Sequence, residues 1–107
     1  MSLPRRFTGP SLVTNAAVTR YTVPANRLAV LRHIHVSNPT AVQVNFTMSI
    51  GADAAGTRIF DAFPIPPLSV FDHFGVYVLA TGELFQVLAS TTNVLTLTVD
   101  GEEELVS

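Results

Sequence analysis

Between Ala41 and Ile50 the residues Val42, Val44, Phe46, Met48 and Ile50 alternate without error with small or polar neighbours. Successive side chains of an extended strand point to opposite faces, so this stretch predicts a strand with one buried face. Leu95, Leu97 and Val99 repeat the pattern against Thr96, Thr98 and Asp100. No window of about a dozen residues carries the 3.6-residue spacing of an amphipathic helix, so the chain must bury its apolar side chains through sheets.

Shorter apolar runs at residues 20–23, 27–37, 57–60, 69–71, 76–79 and 84–89 are further strand candidates. The breaks between them carry turn chemistry: Pro24-Ala25-Asn26, Ser37-Asn38-Pro39-Thr40, the loop from Gly51 to Gly56, Thr81-Gly82-Glu83 and Ser90-Thr91-Thr92-Asn93. About seven to eight short strands at this spacing predict an all-β fold, an antiparallel β-sandwich or jelly roll. One segment breaks parity. Leu31 falls on the side of His33 and His35, while Arg32 falls on the side of Ile34. A β-bulge near Leu31 or Arg32 restores the alternation; the alternative is a strand buried on both faces, with Arg32 paired to an acid. Pro64, Pro66 and Pro67 cannot donate to a central ladder, which places them at an edge or in an extended connection.

Composition bears on what such a sandwich must do with its surface. Of the 107 residues 48% are hydrophobic and only 13% charged, against about 25% charged in an average soluble domain. A chain of this size buries only about two thirds of its unfolded surface, so part of the apolar excess is expected in contacts between subunits. No run of about 18 apolar residues crosses a bilayer, and no membrane partner is expected. The N-terminus has arginines without a following apolar segment, which predicts no secretory signal and assembly in the cytoplasm. There is no cysteine, hence no disulfide framework. All six basic residues are arginine, and five of them, Arg5, Arg6, Arg20, Arg27 and Arg32, precede residue 53; all eight acids follow from Asp53 onward. That order predicts a molecule with a positive and a negative side. The net charge of −2 argues against a nucleic-acid partner.

For chemistry, His33 and His35 stand at i, i+2 and share a strand face, so they can approach one cation together. A catalytic metal needs at least a third protein ligand. The only other histidine is His73, with Asp72 beside it, and no acid follows His35 at the short spacing a cupin barrel uses. The pair is therefore read as surface or interface imidazoles, with no metal and no cofactor. No Gly-x-Ser-x-Gly elbow is present. Asp61, Asp72, Glu83 and Asp100 sit at turns or strand ends, where solvated acids are ordinary. The Gly51 to Gly56 loop lacks the Gly-Lys-Ser/Thr of a phosphate loop and the acids of a calcium loop, and the Asn45-Phe46-Thr47 sequon has no secretory context. No enzyme is expected.

Several motifs together resemble a known family. Tyr21-Thr22-Val23-Pro24-Ala25-Asn26-Arg27, then Val30 to Asn38, then Ser49-Ile50-Gly51-Ala52-Asp53-Ala54-Ala55-Gly56-Thr57-Arg58-Ile59-Phe60-Asp61, and Ala80-Thr81-Gly82-Glu83-Leu84 onward to Ser90, resemble small β-sandwich virion structural proteins of tailed bacteriophages, minor tail or head-associated proteins. The resemblance spans roughly residues 19–99. Asn26 stands where the family turn has glycine, a change asparagine tolerates because it visits positive φ. The Pro64 to Pro67 stretch and the acidic run Glu102-Glu103-Glu104 depart from the family pattern.

The resemblance implies a non-enzymatic, homo-oligomeric component of the virion, in the tail or its attachment to the head, whose partners are other copies and other virion proteins. A capsid decoration or cement protein is the nearest alternative. A receptor- or sugar-binding module at the tail tip is another, with the aromatic segment from Phe60 to Tyr77 as its platform; a metal-dependent cupin-like enzyme is a third. The expected division is an extended N-terminal arm over 1–18, the sandwich over 19–100 and an acidic C-terminal tail over 101–107. Arg5, Arg6, Phe71, Phe74 and Tyr77 are the candidate interface residues, the arm's arginines being expected to meet Asp100 and Glu102 to Glu104 of a neighbouring copy.

Overall fold

The computed structural model describes residues 2–106, and among these residues it contains eight strands and no helix. They are β1 (Ser2–Leu12), β2 (Val18–Thr22), β3 (Arg27–Asn38), β4 (Val44–Ile50), β5 (Arg58–Ile65), β6 (Ser69–Leu79), β7 (Leu84–Ala89) and β8 (Thr96–Leu105). The first sheet has the order β1-β8-β3-β6 and the second β2-β7-β4-β5, and every ladder is antiparallel.

Both sheets feed one core. Leu31, Ile34, Val36, Leu97 and Val99 come from the first sheet, and Val44, Phe46, Met48, Phe85 and Val87 from the second; all are buried. The alternation of β4 is realised as read: Val44, Phe46 and Met48 point to the core. Val42 precedes the strand and is exposed. Sheets packed face to face stand about 10 Å apart, and the 19 Å short dimension of the molecule fits two such layers.

The parity break in β3 is a bulge at Arg32. Leu31 pairs with Gly101 and His33 with Asp100, so β3 carries one residue more than β8 at this point. The extra residue turns Leu31 and Ile34 both into the core and leaves Arg32 and His33 facing out. Similar register shifts fall on β1 between Arg6 and Thr8 and on β6 opposite Leu31 and His33. Gly101 answers to this packing: a Cβ there would lie 2.0 Å from the Val30 carbonyl oxygen. Arg32 itself reaches Glu102, Nε to Oε1 at 2.9 Å.

Two expectations are corrected. The expected arm is not an arm over residues 2–12, which form β1 and pair along β8 from Ser2 opposite Glu104 to Leu12 opposite Thr96. Phe7 anchors the strand in the core, its ring 4.7 Å from that of Tyr21, and Val13 follows it inside. The expected acidic tail is likewise the end of β8 through Leu105, between β1 and β3. For β1 the reason is its edge position: an edge strand tolerates Pro4 and Pro10, and its hydrogen bonds to a distant segment need no apolar alternation. The acidic run is held instead by ladders on both sides, to β1 and to β3. Met1 and Ser107 lie outside the described residues. Three of the five arginines of the first half thus meet acids of the second within one chain, Arg5 and Arg27 at Glu103 and Arg32 at Glu102.

Residues 69–71 and 76–79, read as separate runs, are one strand, β6. The prolines are placed as expected: Pro64 lies in β5, an edge strand of the second sheet, and Pro66 and Pro67 in the turn that follows. Asn26 has φ 60°, the left-handed conformation its turn requires.

Candidate functional site

The chemistry-bearing side chains gather on the outer face of the first sheet. The bulge at Arg32 aims His33 and His35 outward from β3, and the antiparallel register sets Asp72 of β6 directly opposite His35, with Phe74 opposite His33. Asp72 is therefore diagonal to His33, within reach of an imidazole. Asp72 Oδ1 accepts from His35 Nδ1 at 2.6 Å and from His33 Nε2 at 2.7 Å. Hydrogen bonds from His35 first and His33 second hold the Asp72 carboxyl below the usual carboxylate range. Phe74 stacks on His33 with ring centroids 4.4 Å apart and planes 2° from parallel. The other nitrogen of that ring, Nδ1, lies 3.7 Å from Asp100 Oδ1. Among the described residues His33, His35 and Asp72 are a set whose ligand atoms converge, all within 4.8 Å of one another.

His73 does not join them. Parity sends it to the other face of β6, where Nε2 lies 2.9 Å from the Tyr77 hydroxyl and the ring sits against Phe60. The third partner of the histidines is thus Asp72. Nothing local in the sequence selects it over His73, because the choice depends on how β6 registers with β3.

The same face carries an apolar row along β6. Val70, Phe74, Val76 and Val78, with Leu68 in the preceding turn, are 57–73% exposed. Leu68 also has φ 53°, a left-handed conformation that is costly for a side chain of its kind. Of the three aromatics expected at an interface, Phe74 stands in this row. Phe71 and Tyr77 lie on the inward face at the margin of the core, Phe71 packed on Phe63 with centroids 4.6 Å apart. Val70, Val76 and Val78 were missed because β6 alternates apolar residues on both faces, and periodicity alone does not say which face the second sheet covers.

The arginines expected at an interface have other surroundings. Arg5 lies over the Tyr21 ring and donates to Glu103 Oε1 at 3.4 Å. Tyr21 donates its phenolic hydrogen to Glu103 Oε2. Arg6 is exposed and lines a polar groove with Arg5, Arg32, Asp100 and Glu102. In the Gly51 to Gly56 loop, Arg58 Nε and Nη2 grip both oxygens of Asp53, at 2.9 and 3.0 Å, and hold its carboxyl below the usual range. That loop acid is engaged in closing its own turn.

Comparison of the chain with protein-family models, with curated proteins and with solved structures finds no match.

Proposed function

We propose that this chain is a non-enzymatic structural protein that works as an assembly of its own copies, joined along the free edge and outer face of β6, and that the assembly belongs to a tailed-phage particle, in the tail or its attachment to the head. The observation that carries the reading is the state of β6. An unpaired strand edge invites another strand, and folded chains blunt their edges with prolines, charges or brevity. β1 has Pro4, Arg5, Arg6 and Pro10; β2 has five residues; β5 has Asp61 and Pro64. β6 has eleven residues with no proline, lysine or arginine, and its outward row is apolar apart from Asp72, which His33 and His35 already engage. Such an edge suits a second copy, since an antiparallel pair about a two-fold axis sets the same row against itself. The exposed Leu68, held at positive φ, lies beside Val70 and extends the row.

Two further points support the virion setting. The strand order β1-β8-β3-β6 and β2-β7-β4-β5 supports a jelly-roll reading, two four-stranded sheets linked by Greek-key connections, an architecture used by virus-particle proteins. The turn motifs at Tyr21 to Asn38 and Gly51 to Asp61 resemble those of tailed-phage virion proteins. A decoration or cement role on the head needs the same surface and differs in location. A sugar-binding platform at the tail tip draws less support, because Phe60, Phe63 and Phe71 pack on one another.

Light scattering and native mass spectrometry test the assembly. The full chain is expected as an oligomer whose copies each bury about 800 Å² or more. Val76→Lys with Val78→Lys is expected to give a folded monomer. A full chain that stays monomeric at high concentration would remove the self-assembly reading. Mass spectrometry of purified particles tests the virion setting separately.

A further inference from the structure

We infer that His33, His35 and Asp72 form a binding site for a divalent transition-metal cation of the zinc class, with His33 Nε2, His35 Nδ1 and Asp72 Oδ1 as its three protein ligands. Two imidazole nitrogens and one carboxylate oxygen are donors suited to zinc, nickel, copper or ferrous iron. The three atoms already converge within 4.8 Å of one another. A tetrahedral ion with bonds of about 2.0–2.2 Å holds its ligands about 3.3–3.5 Å apart, so the Asp72 oxygen must retreat by less than about 1 Å from each hydrogen-bonded imidazole, and the two imidazoles, within 4.8 Å of each other, must close by at most about 1.5 Å through side-chain rotation. Its carboxylate is part-exposed on an edge strand, where a side-chain rotation provides that room.

The surroundings of His33 suit a ligand histidine. A metal-bound imidazole donates its other N–H to a carboxylate or carbonyl, which sets tautomer and orientation. His33 Nδ1 faces Asp100 Oδ1 at 3.7 Å, and the parallel Phe74 ring holds the imidazole plane. Without metal, the N–H groups at His33 Nε2 and His35 Nδ1 donate to Asp72. On loading, each neutral ring changes tautomer, its single proton passing through solvent to the other nitrogen, which for His33 is the nitrogen facing Asp100. The lone pairs then freed take the ion in place of the two hydrogen bonds. The remaining coordination position opens to water, away from the sheet.

This site is complete within one chain, so it stands or falls apart from the assembly along β6. Tag-free protein titrated with zinc and with nickel by calorimetry is expected to bind one ion per chain, with cobalt giving the visible bands of a low-symmetry nitrogen and oxygen site. Asp72→Asn and His35→Asn are each expected to weaken binding by more than ten-fold, and Asp100→Asn by about ten-fold, the loss typical of an outer partner. His73→Asn, changed on the opposite face of β6, is expected to bind as the parent does, as is the monomeric variant carrying Val76→Lys and Val78→Lys. Circular dichroism checks that each variant is folded. No binding at millimolar metal, or binding that survives His35→Asn and Asp72→Asn, or binding that requires His73, would overturn the site.

Discussion

Tyr21 and Glu103 are buried together where β1, β2 and β8 meet, and the pair binds side chains that stand 82 residues apart in sequence. Tyr21→Phe keeps the ring on Phe7 and loses only the donor to a charged acceptor, so a loss of about 1–2 kcal/mol in denaturant midpoint experiments is expected. Burial first, and Glu103 accepting its hydrogen second, push the Tyr21 phenol well above its ordinary value of 10.0. The unfolded chain then loses that proton at lower pH than the folded one. The stability from this group is therefore full below pH about 10 and declines as pH rises beyond it. In a Tyr77→Phe background, where Tyr21 is the remaining tyrosine, the phenolate absorbance should appear only above the ordinary tyrosine range or together with unfolding; an ordinary midpoint in folded protein would contradict the pairing. Gly101 offers a second residue-scale test. Its absent Cβ leaves room for the Val30 carbonyl at the bulge, so Gly101→Ala is expected to cost at least the ~1–3 kcal/mol of ordinary overpacking, read as a lowered melting temperature.

At the scale of elements, the ends of strands are tied by side chains as well as by ladders. Asn38, buried at the end of β3, donates to the carbonyls of Val42, Ile65 and Pro66 and accepts from Thr40 N and Oγ1. One amide therefore joins the β3–β4 connection to the end of β5 and so couples the two sheets. Asn38→Ala strands the Ile65 carbonyl in a buried place, and a loss of about 1–3 kcal/mol is expected. Hydrogen exchange should show the loosening first at Thr40 and in the turn at Leu68, whose N–H donates to the Thr40 carbonyl at 2.8 Å. Unchanged exchange there would show that the amide is not the tie. The extent of β6 has a similar origin. Asp72 looks like a break in an apolar run, yet His33 and His35 on β3 engage its carboxylate and the strand continues to Leu79.

For the whole molecule, β1 decides what truncation does. Removing residues 2–10 would take away most of the ladder to β8, expose a new edge and pull Phe7 out of the core. Loss of a buried Phe side chain alone costs about 3–5 kcal/mol, so the truncated chain is expected to unfold or melt far lower. A truncated chain with the parent's melting temperature would mean that β1 contributes no stability. The charge asymmetry along the sequence is spent in the same place. Arg5, Arg27 and Arg32 meet Glu102 and Glu103 across neighbouring strands, which leaves the apolar row of β6 as the more prominent surface for association.

Periodicity at residues 44–48 and 95–99 is a local property of neighbouring side chains. It pointed by itself to an all-β chain, and the turn chemistry of residues such as Asn26 marked the breaks; the broken parity at Leu31 and Arg32 left a bulge or a strand buried on both faces, and the ladder to β8 decided for the bulge. That Pro64 lies at an edge or in an extended connection was legible for the same kind of reason, since a missing N–H is written in the residue. What only the tertiary structure decided are the pairings between distant segments. That residues 2–12 form a strand depends on β8 and not on their own pattern. That Asp72 and not His73 stands with the two histidines depends on β6 lying beside β3 in one register, and a shift of one residue would exchange them. Which side of β6 stays apolar and bare depends on where the second sheet packs. Local side-chain chemistry sets the element, and the backbone ladders between remote strands set the site.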